Sequence, residues 1–315
     1  MNSTVVLRKY GSFLVLGFLL LILALFYPGV LSFSNVANVF SQVAVVGICA
    51  VGMTFVMLTG GIDLSVGSLV ALTGAVGAWL NTHGGFHWSL AWVGAVLVGM
   101  LCGLISGLFV QWGKMPPFIA TLSMMAIARG ATLLITRGYP ISGTSSGFNY
   151  AGWAYLGPFP VSGLLMLVLI AIAWVVLRKT RFGTYVYAVG DDPETARLAG
   201  ISISKVRVIV YVISGACSAF GGLLMVGRLW SAQPNVGMGM ELDVIASVVL
   251  GGTSLFGGVG GVGGTLIGVL IMGFLDNGLR MLELSSYLQQ VVKGAVFIGV
   301  VGADLYFKKV RSGKC

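Results

Sequence analysis

Charge is what this sequence has least of. Only 9% of its 315 residues are Asp, Glu, Lys or Arg and 57% are hydrophobic, against about 25% charged in an ordinary soluble domain. That shortage excludes a surface built for water and makes the chain an integral membrane protein. Cysteine is also sparse: Cys49, Cys102, Cys217 and Cys315 lie mostly inside apolar runs with no CxxC or other metal-ligand spacing, so they read as buried thiols and not as a disulfide framework or a zinc site. The two histidines, His83 and His87, stand four apart beside Gly84 and Gly85. On a helix that spacing could hold a metal, but the glycines oppose a helix, and an interfacial loop is expected. No GxxxxGK[ST] phosphate loop exists, because the pairs Gly113-Lys114 and Gly313-Lys314 are followed by Met115 and Cys315. No nucleophile, base and orienting group cluster together, which argues against an enzyme. The apolar runs do not alternate with polar residues, which excludes a transmembrane β-barrel.

Long apolar runs are what the chain has in quantity. A span needs about 20 apolar residues, fewer where a helix is broken or re-entrant. On that ruler the expected fold is an all-α polytopic membrane protein of about ten helices, some short or broken. They fall near residues 11–30, 39–58, 65–81, 88–112, 117–136, 161–178, 206–228, 241–256, 262–281 and 286–306. The third and eighth are short and glycine-flanked. The first run, Gly11 to Tyr27, is long and has no small-residue cleavage site after Pro28, so it reads as a span and not a removable leader. The 48 glycines and 13 methionines suit helices that pack closely and flex.

The formal charge of +9 is an argument about topology, not about nucleic acid. With Arg8 and Lys9 inside, ten crossings also place Lys308, Lys309, Arg311 and Lys314 inside. Lys114 and the cluster Arg178, Lys179, Arg181, Arg197, Lys205 and Arg207 fall on that same side, which gathers 13 of the 18 basic residues there. Arg137, Arg228 and Arg280 fall outside, and Arg129 and Lys293 lie within spans. This asymmetry predicts both termini in the cytoplasm, and an odd number of crossings would break it. The whole chain, 1–315, then forms one transmembrane domain.

Two loops are long enough to fold locally. The outer one, Arg137 to Pro160, mixes aromatics, turn residues and serines, and reads either as a short interfacial segment or as a plain connector. In the inner one, 178–207, Asp192 can cap, Pro193 fits the first helical position, Glu194 lies in the first turn and Gly200 can close the end. A two-turn helix over 193–199 follows. Alone in water it would be marginal, so it either docks on a soluble partner or is a solvated connector with capping residues.

The most informative stretch is Thr59-Gly60-Gly61-Ile62-Asp63-Leu64-Ser65-Val66-Gly67-Ser68, a polar, glycine-rich break between apolar runs. An acid and freed backbone groups at membrane depth must line a cavity or pack inside protein. Together with the preceding Ala50 to Leu58, this stretch closely resembles the signature of bacterial ABC transporter permeases that import ribose and other monosaccharides. Further matching stretches are Phe118 to Leu122 with Arg129-Gly130, Thr180 to Gly183, Tyr187 to Gly190, Ser231 to Pro234, Glu241 to Asp243, and Val249 to Leu255 followed by Gly257-Gly258. The resemblance runs from about residue 35 to the end and is greatest to the ribose group.

That resemblance implies an inner-membrane subunit that pairs with a second permease copy, identical or related. It also implies sugar delivered by a periplasmic binding protein, and a separate cytoplasmic ATPase that binds the ATP and Mg. No cofactor is implied on this chain. The 193–199 helix resembles a coupling helix. Asp191, Asp192, Glu194 and Arg197 would supply polar docking contacts, and Leu198 and Ile201 could fill an apolar notch. A sugar donates and accepts hydrogen bonds, so Asp63, Ser65, Asp243, Thr253 and Asn277 are pathway or gate candidates. Asp63 reads equally as a cap of the third span, with its break at an inner gate. A weak echo of Ile62-Asp63-Leu64 at Leu242-Asp243-Val244 suggests breaks duplicated in the two halves. Arg129 and Lys293 are expected to pair with carboxylates among Asp63, Asp243, Asp276 and Asp304. Gly60, Gly61, Gly67, Gly260 and Gly263 are hinge or packing candidates, the last two in a glycine run from Gly257 to Gly264 that lacks the strand and acid of a dinucleotide fold. A different class remains open, an ion-gradient-driven transporter with Asp63 and Asp243 as ion sites.

Overall fold

The computed structural model describes residues 3–311, so Lys314 and Cys315 lie outside the described residues. The chain is helical almost throughout. The helices are α1 (Ser3–Phe26), α2 (Phe33–Leu58), α3 (Val66–Thr82), α4 (Trp88–Gln111), α5 (Pro117–Thr136), α6 (Ser146–Trp153), α7 (Val161–Lys179), α8 (Arg181–Asp191), α9 (Pro193–Leu198), α10 (Ile203–Leu229), α11 (Met240–Leu250), α12 (Val262–Met281) and α13 (Ser286–Arg311). Six of them, α2, α4, α5, α7, α10 and α12, are long and apolar enough to cross a membrane, and the apolar parts of α1 and α3 are shorter. The protein is therefore polytopic and helical.

Each of the ten expected segments carries a helix, and three differences in boundary and one in the inner loop have local reasons. The first helix stops at Phe26, and Pro28 opens a 3-10 turn over Pro28–Leu31, since proline has no N–H to continue the ladder. The second helix starts at Phe33, six residues early, because the Ser32 hydroxyl accepts the Asn35 N–H at 3.3 Å and caps it. The eighth helix stops at Leu250 and not near 256: Gly251 and Gly252 follow, and Gly252 takes a left-handed φ of 85°. The inner loop holds two helices where one was expected. The extra one, α8, opens where the Thr180 hydroxyl accepts the Gly183 N–H at 3.2 Å.

The outer loop folds as α6 plus two minimal ribbons. Ile141–Ser142 (β1) pairs antiparallel with Ser231–Ala232 (β4), and Tyr155–Leu156 (β2) pairs with Phe159–Pro160 (β3). The first ribbon ties this loop to the end of α10.

Helices α10 and α2 form the centre. In lipid there is little hydrophobic gain from bringing helices together, so small residues that let backbones approach supply the contact. Gly99 of α4 lies against Gly215 of α10, Gly103 against the Tyr211 carbonyl, Gly74 of α3 against Gly222, and Gly52 of α2 against Ser214. A side chain at Gly52, Gly99 or Gly103 would overlap the opposing backbone, and one at Gly74 would crowd Val226. Packing on these faces makes α3 run parallel to α10, with α2 and α4 antiparallel to it.

Candidate functional site

The polar break after α2 is a compact knot tied by the Asp63 carboxylate. Asp63 is 1% exposed. One carboxylate oxygen accepts the Ser65 N–H at 3.0 Å and the Ser65 hydroxyl at 2.6 Å, and the other accepts the Ser214 hydroxyl of α10 at 2.7 Å. The break is also tied to α5, where Thr121 accepts the Leu64 N–H at 3.1 Å and donates to the Ile62 carbonyl at 3.3 Å. Asp63 thus lies just ahead of the first turn of α3 and bolts that turn to the central helix. Ser65, 1% exposed, serves the same knot. Beneath it opens a cavity of about 540 Å³, bordered by Gly60, Gly61, Gln111, Lys114, Arg207 and Tyr211. Gly60 is exposed at the rim, and Gly61 is pressed against the Tyr211 hydroxyl, 2.7 Å from where a Cβ would stand.

A second break follows α10. After the β4 residues the chain does not stay at the helix end but turns back. Gly237 touches Gly67 near the start of α3, and Gly222 of α10 touches Val70. Leu229 lies seven residues beyond Gly222, and Gly67 lies three residues before Val70. At 1.5 Å per helical residue, Gly237 sits about 15 Å back from the end of α10, roughly the middle of a 30 Å hydrocarbon layer. Residues 233–239 therefore dip to mid-depth as the irregular half of a broken crossing, and α11 continues from the tip toward the side of α8. With only eleven residues, α11 spans about 16 Å, half of what a crossing requires.

Arg129 of α5 fastens this loop. Its guanidinium donates to the Pro234 carbonyl at 2.8 Å and the Val236 carbonyl at 3.0 Å. The expectation of a carboxylate hydrogen-bond partner was wrong for Arg129, because backbone carbonyls freed by the irregular loop are nearer acceptors. Lys293 of α13 behaves as expected, bonding Asp243 and Asp276 at 2.9 Å each. This pair of carboxylates around one ammonium clamps α11, α12 and α13 together. Asp304 instead accepts the Leu255 N–H at 3.2 Å.

Three pathway candidates are occupied elsewhere. Asp243 belongs to that ionic clamp. Asn277 exchanges paired amide hydrogen bonds with Asn35, at 2.9 and 3.1 Å, joining α12 to α2. Thr253 is 1% exposed and accepts the Gly261 N–H at 3.2 Å inside the turn after α11. Asp63 and Asp243 are not equivalent in place, since one precedes a helix and the other lies in the first turn of one. Among the glycines, Gly67 abuts Gly237 and Gly260 abuts Thr253, but nothing lies within 4 Å of a Cβ on Gly263. Its neighbour Gly264 makes the close approach, to Gly251.

Neither histidine is arranged for a metal. His83 stacks on Trp79 and bonds the Thr82 hydroxyl, and His87 caps α4 by accepting the Ser89 N–H. No cluster of three or more potential metal ligands occurs among the described residues.

The inner helix pair has its own geometry. Asp192 accepts the Glu194 and Thr195 N–H groups at 2.9 and 3.3 Å and the Thr195 hydroxyl at 2.6 Å. These bonds, the hydroxyl's first, hold the Asp192 carboxyl below the usual carboxylate range. The far end closes with Ile201 N–H on the Ala196 carbonyl and Gly200 N–H on the Arg197 carbonyl, Gly200 at φ 80°. Glu194 and Arg197 pair across the exposed surface at 2.9 Å. Asp191 is exposed, Ile201 is partly buried, and Leu198 is 82% exposed, an apolar side chain held out from the surface. Behind α9, α8 is seated on the membrane domain. Gly190 lies on the Leu58 carbonyl, which accepts the Gly258 N–H at 3.0 Å, and the Tyr187 hydroxyl donates to the Gly260 carbonyl at 2.9 Å.

Sequence reasoning did not single out Ser214, Thr121, Gln111 or the loop at 233–239 as parts of these sites. Ser214 stands in the small-residue run Ser214-Gly215-Ala216-Cys217-Ser218 of α10, a pattern that marks a packing face and could have drawn attention to its hydroxyl.

The chain is similar to known permeases along nearly its full length. It is 46% identical to the ribose import permease protein of Bacillus subtilis over 305 residues, covering 95% of this chain and 93% of that protein. It is 37% identical to the D-allose transport system permease protein of Escherichia coli over 303 residues, covering 96% and 93%. It is likewise 37% identical to a probable ABC transporter permease protein of Escherichia coli over 312 residues, covering 98% and 92%. No solved structure matches the chain. Residues 35–301, which contain both breaks, the ionic clamp and the inner helix pair, match the model of one family, and the chain belongs to it: the permease components described as the branched-chain amino acid transport system / permease component family.

Proposed function

We propose that this chain is the membrane-spanning permease subunit of an ATP-driven importer for a monosaccharide, ribose or a related sugar, in the bacterial inner membrane. The similar proteins carry ribose, allose and ABC permease names, and this supports sugar over the amino acids in the family description. ATP is hydrolysed by a separate cytoplasmic ATPase, sugar arrives from a periplasmic binding protein, and a second permease copy completes the pathway. Ten crossings with both termini inside agree with the basic residues gathered on the side of α8 and α9.

The observation that carries the reading is α9. A six-residue helix, capped at both ends, buries only Ala196 and displays Leu198 to solvent, so little of this chain holds a helix that would be marginal alone. It suits a coupling helix seated in a groove of the ATPase. Leu198 and Ile201 enter an apolar notch, and Asp191, Asp192, Glu194 and Arg197 set register. Motion of α9 passes through α8 to the junction of Gly190, Leu58 and Gly258, one residue from the Thr59–Ser65 break. Asp63 and Ser65 act there by holding the inner gate in register, not by touching sugar.

An ion-driven transporter is the weaker reading, since Asp63 is bonded to two serines and Asp243 to Lys293. The test is reconstitution with the neighbouring ATPase and binding protein, reading ATPase stimulation and uptake against a sugar panel. Uptake that persists without the ATPase and collapses with the proton gradient would overturn the proposal. Within that assay, Glu194→Lys and Arg197→Glu are each expected to abolish transport while the protein still inserts.

A further inference from the structure

The loop 233–239 poses a problem that one chain cannot solve. It lies at mid-depth, yet Asn235, Met238 and Gly239 are exposed, Met238 by 70%. The N–H groups of Asn235, Met238 and Gly239 have no acceptor among the described residues. Beside the loop, α5 turns outward a face that includes Ser123, Ala126 and Gly130, all exposed. Irregular backbone with free donors does not occur against lipid hydrocarbon. At that depth it is tolerated only where protein covers it or water reaches it.

From this geometry we infer that 233–239 and the adjoining face of α5 form one wall of the sugar passage. The opposite wall is the same surface on a second copy of this chain. The inference deepens the permease reading above and rests on it. The exposed N–H groups donate, the Asn235 amide donates and accepts, and Met238 offers an apolar face; this mixture fits a sugar ring, which presents hydroxyls at its edge and C–H groups on its faces. Arg129 is a positioning residue. By holding the Pro234 and Val236 carbonyls it satisfies the acceptors of the loop on the protein side and leaves the donors toward the passage. The two-copy arrangement also accounts for the exposed small residues on α5, which let a facing surface come close.

The test uses the full importer in proteoliposomes, with Cys49, Cys102, Cys217 and Cys315 replaced by serine or alanine and single cysteines restored. Asn235→Cys, Met238→Cys and, on the same face of α5, Ser123→Cys are compared with Leu97→Cys. Leu97 is an exposed apolar position on α4 at similar depth, near the level where α4 meets Gly215. A membrane-impermeant maleimide needs a hydrated thiolate, so the three passage positions should label at least about tenfold faster than Leu97→Cys in the nucleotide-free or the ATP-trapped state. Sugar should slow the labelling, and a bis-maleimide should join two copies of this chain through residue 238. Arg129→Gln is expected to reduce the labelling advantage of positions 235 and 238 over Leu97→Cys and to raise KM for sugar more than it lowers sugar-independent ATPase activity. If all three passage positions were as inert as Leu97→Cys, the passage would be elsewhere. A cross-link only to a different permease chain would overturn the second-copy assignment. Sugar stimulation of the ATPase in the cysteine-free parent is measured separately: its absence would indict the permease reading, and its presence with inert cysteines would indict only this placement.

Discussion

A methyl group added at Gly190 has nowhere to go. Its carbon would overlap the Leu58 carbonyl oxygen and lie 2.6 Å from the Gly258 nitrogen, which now donates to that same oxygen at 3.0 Å. Gly190→Ala must therefore push α8 away from the end of α2 or break that hydrogen bond. Overpacking of this kind costs about 1–3 kcal/mol, and the lost hydrogen bond adds about 1 kcal/mol. The junction should open by about 2–4 kcal/mol, which shifts its closed-to-open ratio by roughly 30- to 700-fold at 1.4 kcal/mol per decade. Two measurements read this directly. Hydrogen exchange should accelerate in 181–191 and 251–261 and stay unchanged in α10, and the sugar imported per ATP hydrolysed should fall in the reconstituted importer. Gly263→Ala is the matched control, because a Cβ there meets nothing within 4 Å. Wild-type exchange and coupling in Gly190→Ala would refute the view that α8 transmits through this contact.

Other outcomes follow from the same geometry. Gly264→Ala should damage assembly where its neighbour Gly263→Ala does not, since Gly264 lies on the Gly251 carbonyl; thermal unfolding in detergent separates the two. Lys293→Met leaves Asp243 and Asp276 facing each other without a cation, a loss of order 3 kcal/mol for a partly buried cluster, and Asp243→Asn in the same chain should restore part of the lost melting temperature. Asp63→Ala strands the Ser65 N–H and two serine hydroxyls in a closed pocket, at a cost on the order of 3 kcal/mol after the hydroxyls reorient; an unchanged unfolding midpoint would count against the knot. For Asp192 the sign is set by its lowered pKa. Its contribution to α9 is present above the ordinary carboxylate pKa and is lost only as pH falls through the lowered folded value. Exchange of the Thr195 amide should therefore be insensitive to this group near neutral pH and rise in strong acid, and Asp192→Asn, a competent cap, should disturb it less than Asp192→Ala.

The elements legible in sequence were those decided by local chemistry. Apolar run length located the helices, and Asp192, Pro193 and Gly200 marked both ends of α9 because a cap, a first-turn proline and a left-handed glycine act within six residues. Pairings across the chain were not legible. Asp63 was seen as an acid in need of a partner, but Ser214 stands 151 residues away and is brought to it by the packing of Gly52 and Gly103 on α10. The same limit applies to Asn277 and Arg129. An amide in a span can line water or clasp another amide, and only the neighbouring helix decides. The dip to mid-depth was hidden for a further reason: a mostly apolar run after a glycine-containing turn resembles a shortened span, and run length alone does not say at what depth a helix begins.

Depth is also what relates the two breaks. Each follows one of the two central helices and leads into a short helix, α3 or α11, and the starts of these helices meet where Gly67 touches Gly237. The two breaks differ in how they are closed. The Thr59–Ser65 break is tied to α10 and α5 by the side chains of Asp63, Ser65, Ser214 and Thr121 and is continuous, through Leu58, with the seat of α8. The 233–239 loop is bonded on its protein side by Arg129 and open on the other. A rigid element near the coupling helix and an incompletely satisfied one at mid-depth are what alternating access requires of its two parts, one to transmit displacement and one to exchange partners. A substitution that strains the native turn of 233–239, such as Gly239→Ala at φ 78°, should therefore impair sugar release while nucleotide-driven movement at α9 persists. Loss of both together would mean that the loop and the inner junction move as one body.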